Sequence, residues 1–143
     1  MERKASAVWY GEVRSGQGSL STESGVLKEA QFSFKTRFEN GIGTNPEELL
    51  AAAHAGCFAM ALSAQLGIAK LTARRLDVTA TITLEVVGGH HAVTKSHLDL
   101  SAHVPGATQQ AFDAAVKAAE IGCPVSKLFR AAISADAQLD ARS

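Results

Sequence analysis

The sequence predicts an α+β fold, in which antiparallel strands pack around a long buried central helix. Three patterns support this: alternating polar and apolar residues over 6–38, an apolar helix from Pro46, and a second alternating segment over 76–104. The chain has 143 residues, enough to bury roughly two-thirds of the surface that its unfolded form exposes. We therefore expect residues 1–143 to form a single domain.

The first segment consists of short apolar runs separated by glycines. The runs AVWYGEV, GSLSTESGVL and FSFKTRF alternate as half-buried strands do, and glycine is typical of the turns between them. This part of the chain therefore predicts a small antiparallel sheet.

The central helix has clear start signals. Pro46 suits the first helical position, Asn45 is a candidate N-cap, and Glu47 and Glu48 are favourable in the first turn. Gly67 is a natural stop. The expected core stripe consists of apolar residues at three- and four-residue spacing: Leu49, Leu50, Ala53, Cys57, Met60 and Ala61. Because alanines make the helix apolar all round, we expect it to be buried.

The second half predicts a hairpin, a helix and a last strand. Period-two alternation runs over 76–104 across the turn VGGHHA, which indicates a long hairpin with one buried face. Helical spacing resumes at Thr108 and stops at Gly122. After GCPVSKLFRAA, the alternation of ISADAQL predicts a final strand.

The net charge and the first residues of the chain disfavour nucleic acid and membranes as partners. Fourteen basic and fourteen acidic residues cancel, so no net field attracts nucleic acid or an anionic membrane. The first residues contain no stretch typical of a signal peptide, and His54 interrupts the longest apolar region, over 49–62. We expect a cytoplasmic protein, with no nucleic-acid or membrane partner.

The two cysteines carry the chemical question. Cys57 lies in AHAGCFAMAL, where a thiol can either fill space or react. Cys123 follows Gly122 and precedes Pro124, so its sulfur is expected near free backbone amides at a helix start, an environment that lowers a thiol pKa; a capping role is the alternative. The cysteines are 66 positions apart, so their spacing alone does not establish a pair.

Other chemistries find little support. His54 lies three residues before Cys57, a usable ligand spacing, but two cysteines and one histidine lack a fourth zinc ligand. We expect His54 to be a hydrogen-bonded core residue, and His90 and His91 to be solvated. No serine elbow and no phosphate loop is present, so hydrolase and nucleotide-binding functions are disfavoured. We expect no cofactor and no metal.

Four stretches resemble the OsmC family, the osmotically inducible proteins related to organic hydroperoxide resistance proteins. Along the chain they are STESGVL, FKTRFE, GTNPEELLAAAHAGCFAMALS and GCPVSK. The resemblance follows the same order as in the family and covers nearly the whole chain. STESGVL and TRFE resemble the OsmC branch most. Gly56 departs from the family motif, which more often has alanine before the cysteine.

The resemblance implies an intertwined homodimer that reduces organic hydroperoxides and, more weakly, hydrogen peroxide, in oxidative and osmotic stress defence. Cys57 would be the peroxidatic residue and Cys123 the resolving one, while Arg37 and Glu47 match the family's arginine and glutamate beside the reactive sulfur. An external dithiol would then reset the enzyme. Two alternatives stay open: a redox sensor or binding protein using the same cysteines stoichiometrically, and a structural dimer with inert thiols.

The expected site raises a geometric problem. Glu47 and Cys57 are ten residues apart, which on a straight helix is about 15 Å along the axis. Either the helix breaks between them, or a second subunit supplies one of the two residues. We expect the second arrangement, since an all-round apolar helix suits burial against another chain.

Overall fold

The computed structural model describes all 143 residues, which group into two compact units, Met1–Leu49 and Leu50–Ser143. The elements of the first unit are β1 (Ala5–Tyr10), β2 (Gln17–Thr22), β3 (Ala30–Phe32) and α1 (Phe34–Phe38). Helix α2 (Pro46–Ile68) begins there and continues into the second unit, which adds β4 (Arg75–Val87), β5 (His90–His103), α3 (Gln109–Gly122), α4 (Pro124–Leu128) and β6 (Ala132–Asp140). The fold class is therefore α+β, as predicted.

The first unit contains the expected small sheet. Its strands pair antiparallel in the order β1-β2-β3. The packing is close at Gly18, where a Cβ would lie 2.5 Å from the Phe32 ring and 2.7 Å from the carbonyl oxygen of Val8. A glycine is required there because a side chain would displace the sheet backbone or the ring.

The prediction that FSFKTRF is a strand was wrong beyond Phe32. Residues Phe34–Phe38 form the short helix α1 instead. Ser33 and Thr36 form a capping box: the Thr36 amide donates to Ser33 Oγ at 3.3 Å, and the Ser33 amide donates to Thr36 Oγ1 at 2.8 Å. The cap overrides the alternating pattern and puts Arg37 on a helix.

Helix α2 begins as predicted but buries a different stripe. The Glu48 amide donates to Asn45 Oδ1 at 2.8 Å, which confirms the N-cap. The helix is unbroken between Glu47 and Cys57 and passes the predicted stop, ending one residue later. Its buried residues recur every four positions, at His54, Phe58, Leu62 and Leu66. Met60, expected in the core, is 78% exposed, since an all-round apolar helix gives no periodic signal for its buried face.

The second unit contains the long hairpin and the main core. Strands β4 and β5 pair antiparallel, and Gly88 and Gly89 form the turn with φ of 59° and 81°. Strand β6 pairs parallel to β5, giving the order β4-β5-β6. Helix α3 begins one residue after Thr108, which caps it by accepting from the Ala111 amide at 3.1 Å, and Pro124 opens α4 as predicted. The hydrophobic core includes Phe58, Leu62, Leu66, Leu98, Val104, Phe112 and Cys123.

By length and composition alone, α2 could cross a membrane, a criterion that core helices of soluble proteins also satisfy. Its buried stripe carries the hydrogen-bonded His54 and packs within the core of the second unit.

Candidate active site

The second unit brings the two cysteines together. Cys57 lies in the middle of α2, whereas Cys123 lies at the junction where α3 ends and Pro124 opens α4. Both are free thiols, Cys57 packs against the core cluster that contains Cys123, and each thiol shifts the pKa of the other. Cys123 is fully buried, while Cys57 is partly exposed. Only Cys57 can therefore meet a solute directly.

The surroundings shift the pKa values of the two thiols in opposite directions. Burial raises the pKa of the Cys57 thiol, and its hydrogen bond with Cys123 raises it further, against a smaller lowering by the backbone at Val125. Burial also acts to raise the pKa of Cys123, but the polar groups around it, Cys57, Ser126 and the backbone at Val125, outweigh burial and lower that pKa. Cys123 is the N-cap residue of α4, as its position before Pro124 predicted, but its side chain makes no capping hydrogen bond to that helix.

Buried His54 is held by two hydroxyls. Its Nδ1 lies 2.6 Å from Ser96 Oγ on β5, and its Nε2 lies 2.7 Å from Ser126 Oγ on α4. Phe129 meets the imidazole edge-on with ring centroids 5.2 Å apart. Burial lowers the pKa of His54, so the ring is neutral at pH 7. This confirms His54 as a hydrogen-bonded core residue.

The first unit brings the other two candidates together. The Arg37 guanidinium, from α1, binds the Glu47 carboxylate, in the first turn of α2, in a two-pronged ion pair. Nη2 lies 2.7 Å from Oε1, and Nε lies 3.1 Å and 3.2 Å from the two carboxylate oxygens. The Arg37 side chain is 38% exposed and that of Glu47 is 13% exposed. The carboxylate fixes the orientation of the guanidinium and leaves part of it open.

An apolar cavity of about 280 Å³ opens beside this ion pair. Aromatic pairs form its walls, with Trp9 and Phe32 centroids 5.4 Å apart and those of Phe34 and Phe38 4.8 Å apart. The complete lining is Trp9, Val13, Phe32, Ser33, Phe34, Arg37, Phe38 and Pro46. Arg37 contributes its charge at the edge of an otherwise mostly apolar surface.

The structure thus groups the four predicted site residues in two pairs, the cysteines in one unit and the ion pair in the other. Sequence reasoning missed Ser96 and Ser126. Ser126 lies within the GCPVSK stretch but was assigned no role, and an isolated serine in a strand carries no motif. Their buried hydroxyls were identified only through their contacts with His54.

One further cluster offers possible metal ligands. The ligand atoms of His97, Asp99 and Asp136, on adjacent strands of the second sheet, lie within 4.8 Å of one another. His97 Nε2 already binds Asp136 Oδ2 at 2.9 Å, and its other ring nitrogen contacts Ser134. Both aspartates are exposed, and such groups are common on surfaces without an ion.

Comparisons with known proteins add a consistent set of relatives. A family described as "OsmC-like protein" matches residues 38–138. The chain is 46% identical over 139 residues to Peroxiredoxin OsmC of Escherichia coli strain K12, which covers 97% of each chain.

Solved structures have a similar fold. An OsmC-like protein of unknown function from Vibrio cholerae superposes with a TM-score of 0.75 at 15% identity, covering 96% of this chain and 99% of that one. The organic hydroperoxide resistance protein OhrB of Bacillus subtilis superposes with a TM-score of 0.68 at 22% identity, covering 96% and 98%. At these identities the likeness concerns the fold.

Proposed function

Because this chain belongs to the OsmC family, we propose that it is a peroxiredoxin-like peroxidase that reduces organic hydroperoxides through a two-cysteine cycle. The full-length similarity to Peroxiredoxin OsmC supports the peroxidase activity. The observation that carries the cycle is the proximity of partly exposed Cys57 to buried Cys123 in the core of the second unit. Cys57 is accessible to a substrate, and Cys123 is close enough to react with the oxidised form of Cys57.

The cycle begins at Cys57. Its thiolate attacks the terminal oxygen of the hydroperoxide, the O–O bond breaks, and the leaving alkoxide takes up a proton to become an alcohol. Cys57 is left as a sulfenic acid. The Cys123 sulfur then attacks the Cys57 sulfur, an S–S bond forms and the hydroxyl leaves as water. An external dithiol reduces the disulfide and regenerates both thiols.

Arg37 and Glu47 supply the charge that the first step needs. Burial disfavours the Cys57 thiolate, so a nearby cation is required to make it the predominant nucleophile at neutral pH. A guanidinium oriented by a carboxylate presents its remaining N–H groups to a sulfur or a peroxide oxygen. We assign Arg37 to thiolate stabilisation and Glu47 to holding it in place.

A second copy of the chain completes the site in this proposal. Glu47 and Cys57 lie on one unbroken helix, ten residues or about 15 Å apart along its axis. The homodimer lets the Arg37–Glu47 pair of one subunit serve Cys57 of the other. Its support is the apolar surface that α2 leaves exposed in a single chain, with Met60 at 78% and Ile68 at 76%.

The cavity beside Arg37 favours hydroperoxides that carry a hydrocarbon group. Its aromatic lining offers burial to an alkyl or aryl tail, which hydrogen peroxide lacks. We infer higher kcat/KM for organic hydroperoxides than for hydrogen peroxide. A cytoplasmic location would suit the cycle, since thiols there are kept reduced.

The test is peroxide consumption with dithiothreitol as the dithiol, comparing cumene hydroperoxide with hydrogen peroxide. We expect turnover with both and a preference for cumene hydroperoxide. Cys57→Ser should abolish consumption. Cys123→Ser should give a single turnover and then accumulate overoxidised Cys57, detected by mass spectrometry. Stoichiometric oxidation without turnover in the parent protein would favour a redox sensor, and full activity of Cys57→Ser would remove Cys57 from the site.

A further inference from the structure

A buried hydrogen bond joins α2, which carries Cys57, to α4, which begins directly after Cys123. Nε2 of His54 on α2 lies 2.7 Å from Oγ of Ser126 on α4. His54 precedes Cys57 by three positions, and Ser126 follows Cys123 by three positions. Residues three positions apart are neighbours on a helix surface, so this hydrogen bond lies about one helical turn from each cysteine.

The imidazole of His54 is fixed from two directions. On one side, Nδ1 lies 2.6 Å from Oγ of Ser96 on β5. On the other, α4 meets the ring twice, through Ser126 and through its C-cap residue Phe129, whose ring lies edge-on with centroids 5.2 Å apart. Both serine contacts form in either neutral tautomer, because a hydroxyl can donate or accept. The ring therefore holds α4 at two points while Ser96 holds the ring.

Helix α4 is too short to fix its own position. It comprises five residues, Pro124–Leu128, and three of them are exposed. The backbone hydrogen bonds at its ends are local: the Cys123 amide donates to the Ala119 carbonyl in α3, and the Phe129 amide donates to the Val125 carbonyl. An isolated helix of this length is not stable in water, so tertiary contacts set its place.

We propose that His54 is a positioning residue that anchors α4 to α2 through Ser126 and so holds Cys123 within bonding distance of Cys57. We call the His54–Ser126 hydrogen bond the α2–α4 anchor. This inference rests on the two-cysteine cycle proposed above. The anchor acts on the placement of the two thiols and not on the attack on peroxide.

Disulfide geometry explains why such an anchor matters. A disulfide requires Cα atoms about 4.4–6.8 Å apart, and a larger separation demands backbone movement. If α4 were free to shift, only a fraction of the molecules would hold the two thiols in this range. The anchor raises that fraction, and the equilibrium constant for disulfide formation rises in proportion.

The first test measures this equilibrium constant in glutathione buffers at pH 7. Two electrons and two protons pass from the thiols of Cys57 and Cys123 to glutathione disulfide, which becomes two glutathione thiols, while an S–S bond forms in the protein. Labelling of free thiols with a mass tag gives the oxidised fraction. Ser126→Ala should lower the constant about tenfold, the worth of one hydrogen bond, which corresponds to a potential about 30 mV less negative. Ser126→Thr, which keeps the hydroxyl, should restore the parent value.

Substitutions at His54 test the anchor from the other side. The amide of His54→Asn reaches the place of Nδ1, near Ser96, but is too short to reach Ser126, so this variant should lower the constant as Ser126→Ala does. The longer His54→Gln reaches the place of Nε2 and should recover part of the loss. The double variant His54→Asn/Ser126→Ala should lower the constant no further than either single variant, because both substitutions remove the same hydrogen bond.

Thr108→Ala is the matched control for lost stability. It removes the N-cap hydrogen bond of α3 and destabilises the fold without touching the anchor. A residue that only stabilises the fold acts equally on the thiol and disulfide forms, so Thr108→Ala should leave the equilibrium constant unchanged. A shift in Thr108→Ala equal to that in Ser126→Ala would reduce the anchor to a general contribution to stability and overturn the proposal.

The same measurement separates the anchor from the cycle on which it rests. If the parent forms no disulfide at any glutathione ratio, the two-cysteine cycle fails, and the anchor with it. If the parent forms the disulfide and Ser126→Ala, with a circular dichroism spectrum that matches the parent, forms it equally readily, only the anchor is excluded. Should Ser126→Ala not fold, His54→Asn decides by the same criterion.

Discussion

Two polar groups, one in each unit, are stabilised in opposite ways. In the first unit, Arg37 and Glu47 are a charged pair that keeps part of its surface in water. In the second, buried His54 is a neutral ring held by the Ser96 and Ser126 hydroxyls. A buried charge costs several kcal/mol unless it is compensated, whereas a neutral hydrogen-bonded ring does not carry that cost. The thiols thus lie in the unit that holds the neutral ring, and the cation assigned to the proposed peroxide step lies in the other.

The largest expected effect comes from placing the Glu47 and Cys57 substitutions on different subunits. Glu47→Ala and Cys57→Ser should each be inactive as homodimers. When they are mixed under conditions of subunit exchange, a heterodimer carries one doubly defective site and one intact site if Glu47 acts across the interface. We expect peroxidase activity to reappear, up to about a quarter of the parent value after random pairing, as measured by cumene hydroperoxide consumption.

Exchange must be demonstrated in the same samples, for example by native mass spectrometry of subunits with different isotope labels. A mixture that contains heterodimers but consumes no peroxide would place Glu47 and Cys57 of one chain in the same site. A mixture of Cys57→Ser with Cys123→Ser tests the other unit: both thiols belong to one chain, so no multiple-turnover activity should return.

Removing the Arg37 cation tests what it supplies to the Cys57 thiol. Arg37→Ala should raise the Cys57 pKa by about one to three units and slow sulfenic acid formation at neutral pH, since an adjacent positive charge favours the thiolate by that amount. Arg37→Lys should recover only part of the effect because lysine lacks the planar fork. A Cys123→Ser background isolates the Cys57 titration at 240 nm, and an unchanged midpoint would remove Arg37 from the site.

The neutral buried ring of His54 predicts a pH dependence of stability. Unfolded His54 takes up a proton near its ordinary pKa of about 6.5, whereas burial lowers the pKa of the folded residue. Acidification through this range therefore favours the unfolded chain. We expect the free energy of unfolding to be level above about pH 7 and to fall below it, by up to about 1.4 kcal/mol per pH unit.

His54→Gln should remove this slope, as measured by urea unfolding between pH 5 and pH 7.5. His90→Gln, which changes an exposed histidine at the start of β5, is the matched control and should retain it. An equal slope in the parent and in His54→Gln would contradict a neutral buried ring.

Two glycine substitutions, one in each unit, are expected to give the smallest effects, which are stability changes of opposite sign. A Cβ at Gly56, on α2, meets no atom within 4 Å, so Gly56→Ala should stabilise the protein by about 0.5–1 kcal/mol through helix propensity. Gly18→Ala should instead destabilise it, because its Cβ would meet the Phe32 ring at 2.5 Å. Thermal unfolding midpoints report both changes. A loss of stability in Gly56→Ala would mean that another surface covers that position in the assembled protein.

The sequence predicted well wherever a local signal acts alone. Capping by Asn45, the glycine turn of the long hairpin and the proline start of α4 are all local backbone effects, and all were confirmed. The position of Cys123 at the start of α4 was also confirmed. Local patterns failed where two signals competed, as in FSFKTRF, where an alternating run was overridden by the Ser33–Thr36 capping box.

The sequence by itself therefore determined the α+β class, most element boundaries and, through its resemblance to a family, four candidate residues. Only the tertiary structure decided which face of α2 is buried, since an all-round apolar helix has no preferred face until a core forms against it. It also decided that β6 runs parallel to β5, and it brought Cys57 to Cys123 and His54 to Ser96 and Ser126. These contacts join residues 42 to 72 positions apart, at distances set by packing and not by any local spacing in the sequence.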